Sequence, residues 1–320
     1  MKNILLFSAI ILLTALKANA QTYGCTDKNA KNYNSAATNN DGSCEYKSKS
    51  ASVLSSLEMP SNVIETSGLT AWNNLFWTHN DSNDKNIYAL DANSGNIIQT
   101  IPINSASNFD WEEISQDSNY FYIGDFGNNG NGNRTDLKIF KISKSSILGS
   151  SPIVETIKFS YSNQTDFNPT GSNNTDFDCE AFIVSKDSIF IFTKQWKSKG
   201  TNVYSLPKTA GTFIANLKTT YNVDGLITGA TYIESQNKIV LCGYSKCLKP
   251  FLYLLYDFNS TNFFSGNKRK VNLCLPFKQV EGIATADGLT YYITNEKFSK
   301  FIISTKQKLR KIDLTEFFVK

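Results

Sequence analysis

Residues 280–296, VEGIATADGLTYYITNE, read as two short strands around an Ala286-Asp287-Gly288 turn, and the same two-part phrase recurs four more times upstream. The other copies are TSGLTAW with LFWTHND (66–81), DWEEIS with YFYIGDF (110–126), DCEAFIV with SIFIFTK (178–194) and ITGATYI with KIVLCGYS (227–245). Each copy is a strand carrying a small residue, then a strongly apolar strand ending in polar residues. All-strand repeats of this period build the blades of a β-propeller. The expected fold is therefore all-β, with a small disulfide-stapled module ahead of the propeller.

Each copy extends to four strands from its own residues. The additions are NIYALDANS and NIIQTIPI, LKIFKISK and VETIKFSYS, TNVYSLPK and LKTTYNV, FLYLLYDF and KRKVNLCL, and KFIISTK and LRKIDL. Five blades are favoured and six are the runner-up, because the second copy is the longest. Its surplus, GNNGNGNRTD and NQTDFNPTGSNNTDF, has loop composition. The glycine-rich run 127–134 lies between strands rather than before a helix, so it reads as loop and not as a phosphate cradle. SVLSSLEM, at 52–59, is left over as a strand to join the last blade and close the ring, which removes exposed edges.

Ahead of the repeats, Lys2, an apolar run from Ile4 to Leu16 and Ala18-Asn19-Ala20 form a charged, an apolar and a small-x-small region. That pattern predicts a signal peptide over 1–20 and a secreted protein, extracellular or periplasmic. No later run approaches the roughly 20 apolar residues of a membrane span, so no transmembrane segment is expected. The remaining boundaries are a module at 21–46, a Ser- and Lys-rich linker at 47–56 and a propeller at 57–320. The formal charge of +4 is spread along the chain. The basic runs 268–270 and 306–311 read as solvated outer strands, and no aromatic platform or recognition helix points to nucleic acid.

Six cysteines in an exported chain favour disulfides. Cys25 and Cys44 stand alone in a polar segment too small to fold without a staple and are expected to pair. Cys179, Cys242, Cys247 and Cys274 allow three pairings. A Cys247–Cys274 bridge within the fourth blade and buried free thiols at Cys179 and Cys242 form one arrangement among those.

Stacking the first strands on their small-apolar step, with Glu113 in the place of the small residue of the second copy, aligns Ser67, Glu112, Glu180, Thr228 and Glu281. First strands line a propeller's channel, so these side chains are expected to ring it. Two positions earlier, on the same face, come Glu65, Asp110 and Asp178. The ends of the second strands add Asn80, Asp125, Lys194 and Asn295, with His79, Asp81 and Glu296 adjacent. Enclosed acids need cations, protons or hydrogen bonds to offset their repulsion, and oxygen-rich, thiol-free surroundings suit Ca²⁺ or Mg²⁺ better than zinc or copper. Glu112, Glu180 and Glu281 are the expected ligands, with Lys194 as an internal counter-charge. Water-filled polar channels are the bland alternative.

Residues 24–46, GCTDKNAKNYNSAATNNDGSCEY, resemble a cysteine-bracketed repeat of secreted bacterial proteins that is itself distantly similar to thrombospondin type-3 calcium repeats. Lys28 and Ser35 stand where that repeat usually has proline. Asp27, Asn29, Asn32, Asn34 and Asp41 offer oxygens to Ca²⁺. Turn-making is favoured over a bound ion, because only Asp27 and Asp41 carry charge. The phrases WTHNDS, DWEEI with YFYIGDFGNN, and VEGI with YYITNE resemble secreted bacterial propellers, most without assigned activity. A looser similarity runs to calcium-dependent lactonases of the gluconolactonase type, on the Glu281-Gly282 step.

Two functions follow as expectations. The favoured one is a secreted binding or scaffold propeller meeting a sugar, peptide or surface polymer. The alternative is a metal-dependent hydrolase of lactones or phosphate esters at the channel mouth, with His79 or Asp81 as proton acceptor. His79 is the only histidine, and the hydrolase requires it to point at the glutamates.

Overall fold

The computed structural model describes residues 21–149, 151–275, 278–300 and 303–318. The expected signal segment lies outside the described residues. The described residues form a small disulfide-bridged module followed by a five-bladed β-propeller.

Blade 1 is Thr66–Trp72, Leu75–Asn80, Asn86–Leu90 and Ile97–Pro102. Blade 2 is Trp111–Gln116, Tyr120–Asp125, Lys138–Ser143 and Val154–Tyr161. Blade 3 is Asp178–Val184, Ser188–Lys194, Thr201–Pro207 and Gly211–Tyr221. Blade 4 is Leu226–Ile233, Lys238–Tyr244, Pro250–Tyr256 and Asn267–Leu273. Blade 5 has Val280–Thr285, Thr290–Asn295 and Lys308–Asp313, and its outer strand is Val53–Glu58, paired antiparallel on Lys308–Asp313. The N-terminal strand thus latches the ring, as the leftover SVLSSLEM implies.

That latch corrects two expectations. Ser50–Ala51 adds to the outer strand of blade 4 and Val53–Glu58 belongs to blade 5, so the segment expected to be a linker is largely sheet. With the outer place filled, LRKIDL moves inward to the third position. KFIISTK is left as a separate hairpin, Phe298–Lys300 against Ile303–Thr305. The outer strand of blade 3 also begins earlier than LKTTYNV. Its extension pairs in parallel with blade 2, from Ile157↔Gly211 to Tyr161↔Ala215, and fuses the two blades into one eight-stranded sheet.

Each first strand packs against the next, and the fifth against the first. An apolar cluster fills each seam: Trp77, Trp111 and Phe121 between blades 1 and 2, for instance, and Phe190, Phe192 and Phe263 between blades 3 and 4. Each such fully buried ring contributes about 2–3 kcal/mol. The small residues of the repeat answer to the close approach at the axis. A Cβ on Gly282 would lie 2.8 Å from the backbone of Gly68.

The Cys25–Cys44 bridge forms. Asp27 is buried and docks the module on the propeller, its Oδ2 accepting from Tyr46 Oη at 2.7 Å and Tyr256 Oη at 2.6 Å. Asp41 Oδ1 accepts from the Ser43 N–H in a local turn. Both carboxylates therefore serve docking and turn geometry. Cys179 and Cys242 are buried free thiols, and Cys247 and Cys274 are exposed and free.

Candidate functional site

A β-bulge in every blade builds the channel site. Between first and second strands the register shifts by one residue at the ring position: at 112–113 in blade 2, Glu180 in blade 3, Thr228 in blade 4 and Glu281 in blade 5, with the equivalent shift between Ser67 and Thr70 in blade 1. A bulge re-aims a side chain out of the pleat. Here it turns the ring residues toward the axis.

The ring divides by chemistry. Ser67 Oγ donates to the carbonyl of Glu112, and Thr228 Oγ1 donates to the carbonyl of Val280, so both hydroxyls fasten their blade to the next. Ser67, Glu112, Glu180 and Glu281 line a cavity of about 220 Å³ with Asp81, Lys194, Trp196, Tyr244 and Glu296. Thr228 is not among its lining residues. Asn129 and Asn173 roof it from two blade 2 loops, which are joined by the Asn173 N–H to Asn129 carbonyl bond of 2.7 Å. The glycine-rich run is thus a loop that caps the site. A Cβ on Gly127 would lie 2.2 Å from Asp110 Oδ2 and 2.3 Å from Glu112 Oε1, so only glycine lets this loop sit against the acids.

Pairing corrects the second row by one residue. Thr193 lies opposite Cys179, Asn295 opposite Val280 and Asp125 opposite Trp111, which makes Asn295 and Asp125 equivalents of Thr193. The residues equivalent to Lys194 are Asp81, Phe126, Tyr244 and Glu296. A shift of one flips a side chain to the other face. Asn80 accordingly bonds the Asn62 carbonyl and Asp84, Asp125 pairs with Arg134 at 3.0 Å and Lys138 at 3.2 Å, and Asn295 accepts from Arg310. None of the three lines the cavity. Tyr244, which sequence reasoning missed, sits on the corrected row, whereas Trp196 and Gln279 lie beyond the strands and carry no periodic signal.

His79 is also withdrawn from the cavity. It is fully buried edge-on to Trp111, with ring centroids 5.4 Å apart, and its Nδ1 lies 3.1 Å from the Asn80 carbonyl. Burial lowers its pKa to about 4, so it is neutral, and it is not among the cavity's lining residues.

The acids are crowded. Ligand oxygens of Glu112, Asp178 and Glu180 lie within 4.8 Å of one another, the one such group among the described residues. Asp178 replaces Glu281 in the expected trio. Its carboxylate is oriented by the Asn128 N–H at 2.7 Å and Trp196 Nε1 at 2.7 Å. Lys194 bridges to Glu180 and lies over the rings of Trp196 and Tyr244. Burial, then repulsion from Glu180 and Asp110, holds Glu112 well above the usual carboxylate range, and burial and Glu180 do the same to Glu281. Burial is the first cause that raises Asp81 to about 8, Asp110 to about 6 and Glu296 to about 7, and Asp81 and Asp110 share a hydrogen bond. Burial also pushes Glu180 up despite Lys194. Burial would lower Lys194, but Glu180, Tyr244 and Glu281 hold it above its ordinary value. One ammonium group thus faces an excess of buried carboxyls.

No family model matches the chain, and no curated protein matches it. Among solved structures it is similar to the RRP9 WD40 repeats at 6% identity, covering 83% of this chain and 100% of that one, with a TM-score of 0.44. A chain of the mitotic checkpoint complex matches at 11% identity, covering 84% and 98%, with a TM-score of 0.43. A putative oxidoreductase (glucose dehydrogenase) from Thermus thermophilus matches at 7% identity, covering 80% and 99%, with a TM-score of 0.45. Likeness at this level concerns chain path alone. The propeller assignment rests on the five blades and their closure.

Proposed function

We propose that this is a secreted binding propeller whose central cavity holds a hard divalent cation, Ca²⁺ by its all-oxygen donors, between Glu112, Asp178 and Glu180. The supporting observation is the 4.8 Å limit on the separation of their ligand oxygens. Two oxygens on one Ca²⁺ at about 2.3–2.6 Å can stand no more than about 5 Å apart, so a single ion fits all three. The raised pKa values give the energetic motive, because the acids must hold either protons or a cation. Asn129, Asn173, Gln279 and Trp196 around the mouth offer amide and indole contacts to an extracellular sugar, peptide or surface polymer. The Cys25–Cys44 bridge suits an oxidising compartment, and no helix among the described residues is long and apolar enough to cross a membrane.

The test is metal analysis of the purified protein and calorimetric titration with Ca²⁺. Wild type should bind one ion, and Glu112→Gln and Asp178→Asn should lose it. No heat at millimolar Ca²⁺ and no co-purified metal would overturn the reading.

One observation keeps a hydrolytic role in play. Asp81 lines the cavity with a pKa near neutrality, about 8, and so offers a proton-transfer group beside the trio. His79 does not share that position. A lactone and phosphoester screen of wild type against Glu180→Gln separates the two, since equal background rates leave binding alone.

A further inference from the structure

A second cavity, of about 580 Å³, lies where the N-terminal module meets blade 4 and is lined by Lys31, Lys47, Ser48, Lys49, Arg269 and Glu316, among others. Four cations face one acid there, and that acid is paired with Lys49 at 2.5 Å. The run 268–270 is not the solvated stripe its composition suggests. Lys268 spends its ammonium on the carbonyls of Gly42, Phe264 and Gly266, and Lys270 on those of Val223 and Asp224. Arg269 alone reaches the cleft. It is 6% exposed, and its Cζ stands 4.8 Å from the Tyr46 ring and 4.7 Å from the Phe317 ring. Nη1 donates to the Phe317 carbonyl at 3.3 Å, but Nε has no hydrogen-bond partner among the described residues.

A buried donor left unpaired is costly, and native interiors rarely keep one without a ligand or water to meet it. A guanidinium immobilised by two rings keeps its fork of donors pre-organised for an oxyanion. Lys31 and Lys47 are exposed at the cleft, free to close on such a group. We propose that this cleft binds a tetrahedral oxyanion, a sulfate or phosphate ester, with Arg269 as the fixed anchor and Lys31 and Lys47 as flexible partners. The site is independent of the acidic channel and belongs to the junction that the Asp27 contacts build.

The full chain is titrated calorimetrically with dextran sulfate, then with inorganic phosphate and inorganic sulfate as competitors. Wild type should bind dextran sulfate, and Lys31→Ala with Lys47→Ala should weaken binding at least about fivefold. Arg269→Lys should weaken it despite keeping the charge, and Lys306→Ala with Lys311→Ala should leave it unchanged. Because Arg269 is buried, the exposed lysine pair decides the outcome if Arg269→Lys misfolds. Displacement by phosphate alone assigns a phosphate ester, and displacement by sulfate alone a sulfate ester. Displacement by neither, or equal weakening by both lysine pairs, overturns the proposal.

Discussion

Glu113 Oε2 accepts the backbone N–H of Ala230, 2.8 Å away on blade 4 and 117 residues further along the chain. Oε1 accepts from Leu69 on blade 1 at 3.3 Å and from its own neighbour Ile114 at 3.0 Å. One carboxylate thus joins three blades across the axis. The acidic cavity lies to one side of it, while a 70 Å³ void lined by Leu69, Ile114 and Ala230 lies toward the opposite face. Burial pushes this carboxyl up, and its three N–H donors oppose that shift.

Removing that carboxylate leaves buried amides at the centre without acceptors. Glu113→Ala is expected to cost about 3–5 kcal/mol, at roughly 1–3 kcal/mol for each stranded donor with partial relaxation. Urea unfolding measures this, and a loss below about 1 kcal/mol would show that the axis closes without the staple.

The hydroxyl members of the ring should behave differently from the acids. Thr228 Oγ1 donates to the carbonyl of Val280 and does not line the cavity. Thr228→Val is expected to cost about 1 kcal/mol in urea unfolding and to leave Ca²⁺ binding unchanged. A Ca²⁺ affinity that falls with this substitution would place Thr228 in the site.

How much of the molecule is legible in its sequence follows from what each residue's signal depends on. Glu112, Glu180 and Glu281 are readable because each sits on a repeated phrase, and repetition aligns them without any knowledge of pairing. The second row slips because bulges change the count between strands, and a bulge leaves no mark in the sequence; Asn80, Asp125 and Asn295 stand one residue short of Asp81, Phe126 and Glu296. Glu113 looks like a substitute for a small residue, since nothing local shows that its partner is Ala230. KFIISTK has full strand composition, and only the long-range pairing of Val53–Glu58 displaces it from the blade.

Thiol accessibility separates the cysteines. Cys247 and Cys274 are exposed, Cys179 and Cys242 are buried, and Cys25 and Cys44 are bridged. Burial also raises the Cys179 and Cys242 thiols well above their ordinary range, which makes them inert. A thiol-reactive dye should label two cysteines in the native protein, four in denaturant and six after reduction. No labelling of the native protein would mean that Cys247 and Cys274 are joined.

Stability should depend on pH and Ca²⁺ together. Asp81, Asp110 and Glu296 titrate near 8, 6 and 7 in the fold, against 3.8 to 4.5 when unfolded, so the folded state holds more protons. Their contribution is present at low pH and is lost as pH rises through the folded values. His79, lowered from 6.5 to about 4, acts only below pH 6.5. Between pH 6.5 and 8 the melting temperature of metal-free protein should therefore fall. A fixed Ca²⁺ concentration of about 100 times the Kd at pH 8 should restore about 2.7 kcal/mol at that pH, or about 5–10 °C, and less at pH 5, where protons hold the acids. A Ca²⁺ effect that shrinks as pH rises would contradict the exchange of protons for the ion.

Lys194 is the sharpest probe of whether the cavity is built for a cation. Its ammonium bridges to Glu180, one of the three acids drawn together, and is buried with it. An ion at the trio and an ammonium on Glu180 compete for the same charge. Lys194→Met fills the same volume without the charge, and it strands Glu180 among Glu112, Asp178 and Glu281. Breaking a buried pair in this way costs about 3–5 kcal/mol, so the metal-free variant should melt well below wild type at pH 7.5. In the same variant Ca²⁺ affinity should rise, because Glu180 is released and the repulsion an ion would relieve has grown. Calorimetry and melting curves with and without Ca²⁺ read both effects. A structural ion pair alone predicts the loss of stability without the gain in affinity, so a destabilised variant that binds Ca²⁺ no better than wild type would count against a cation site.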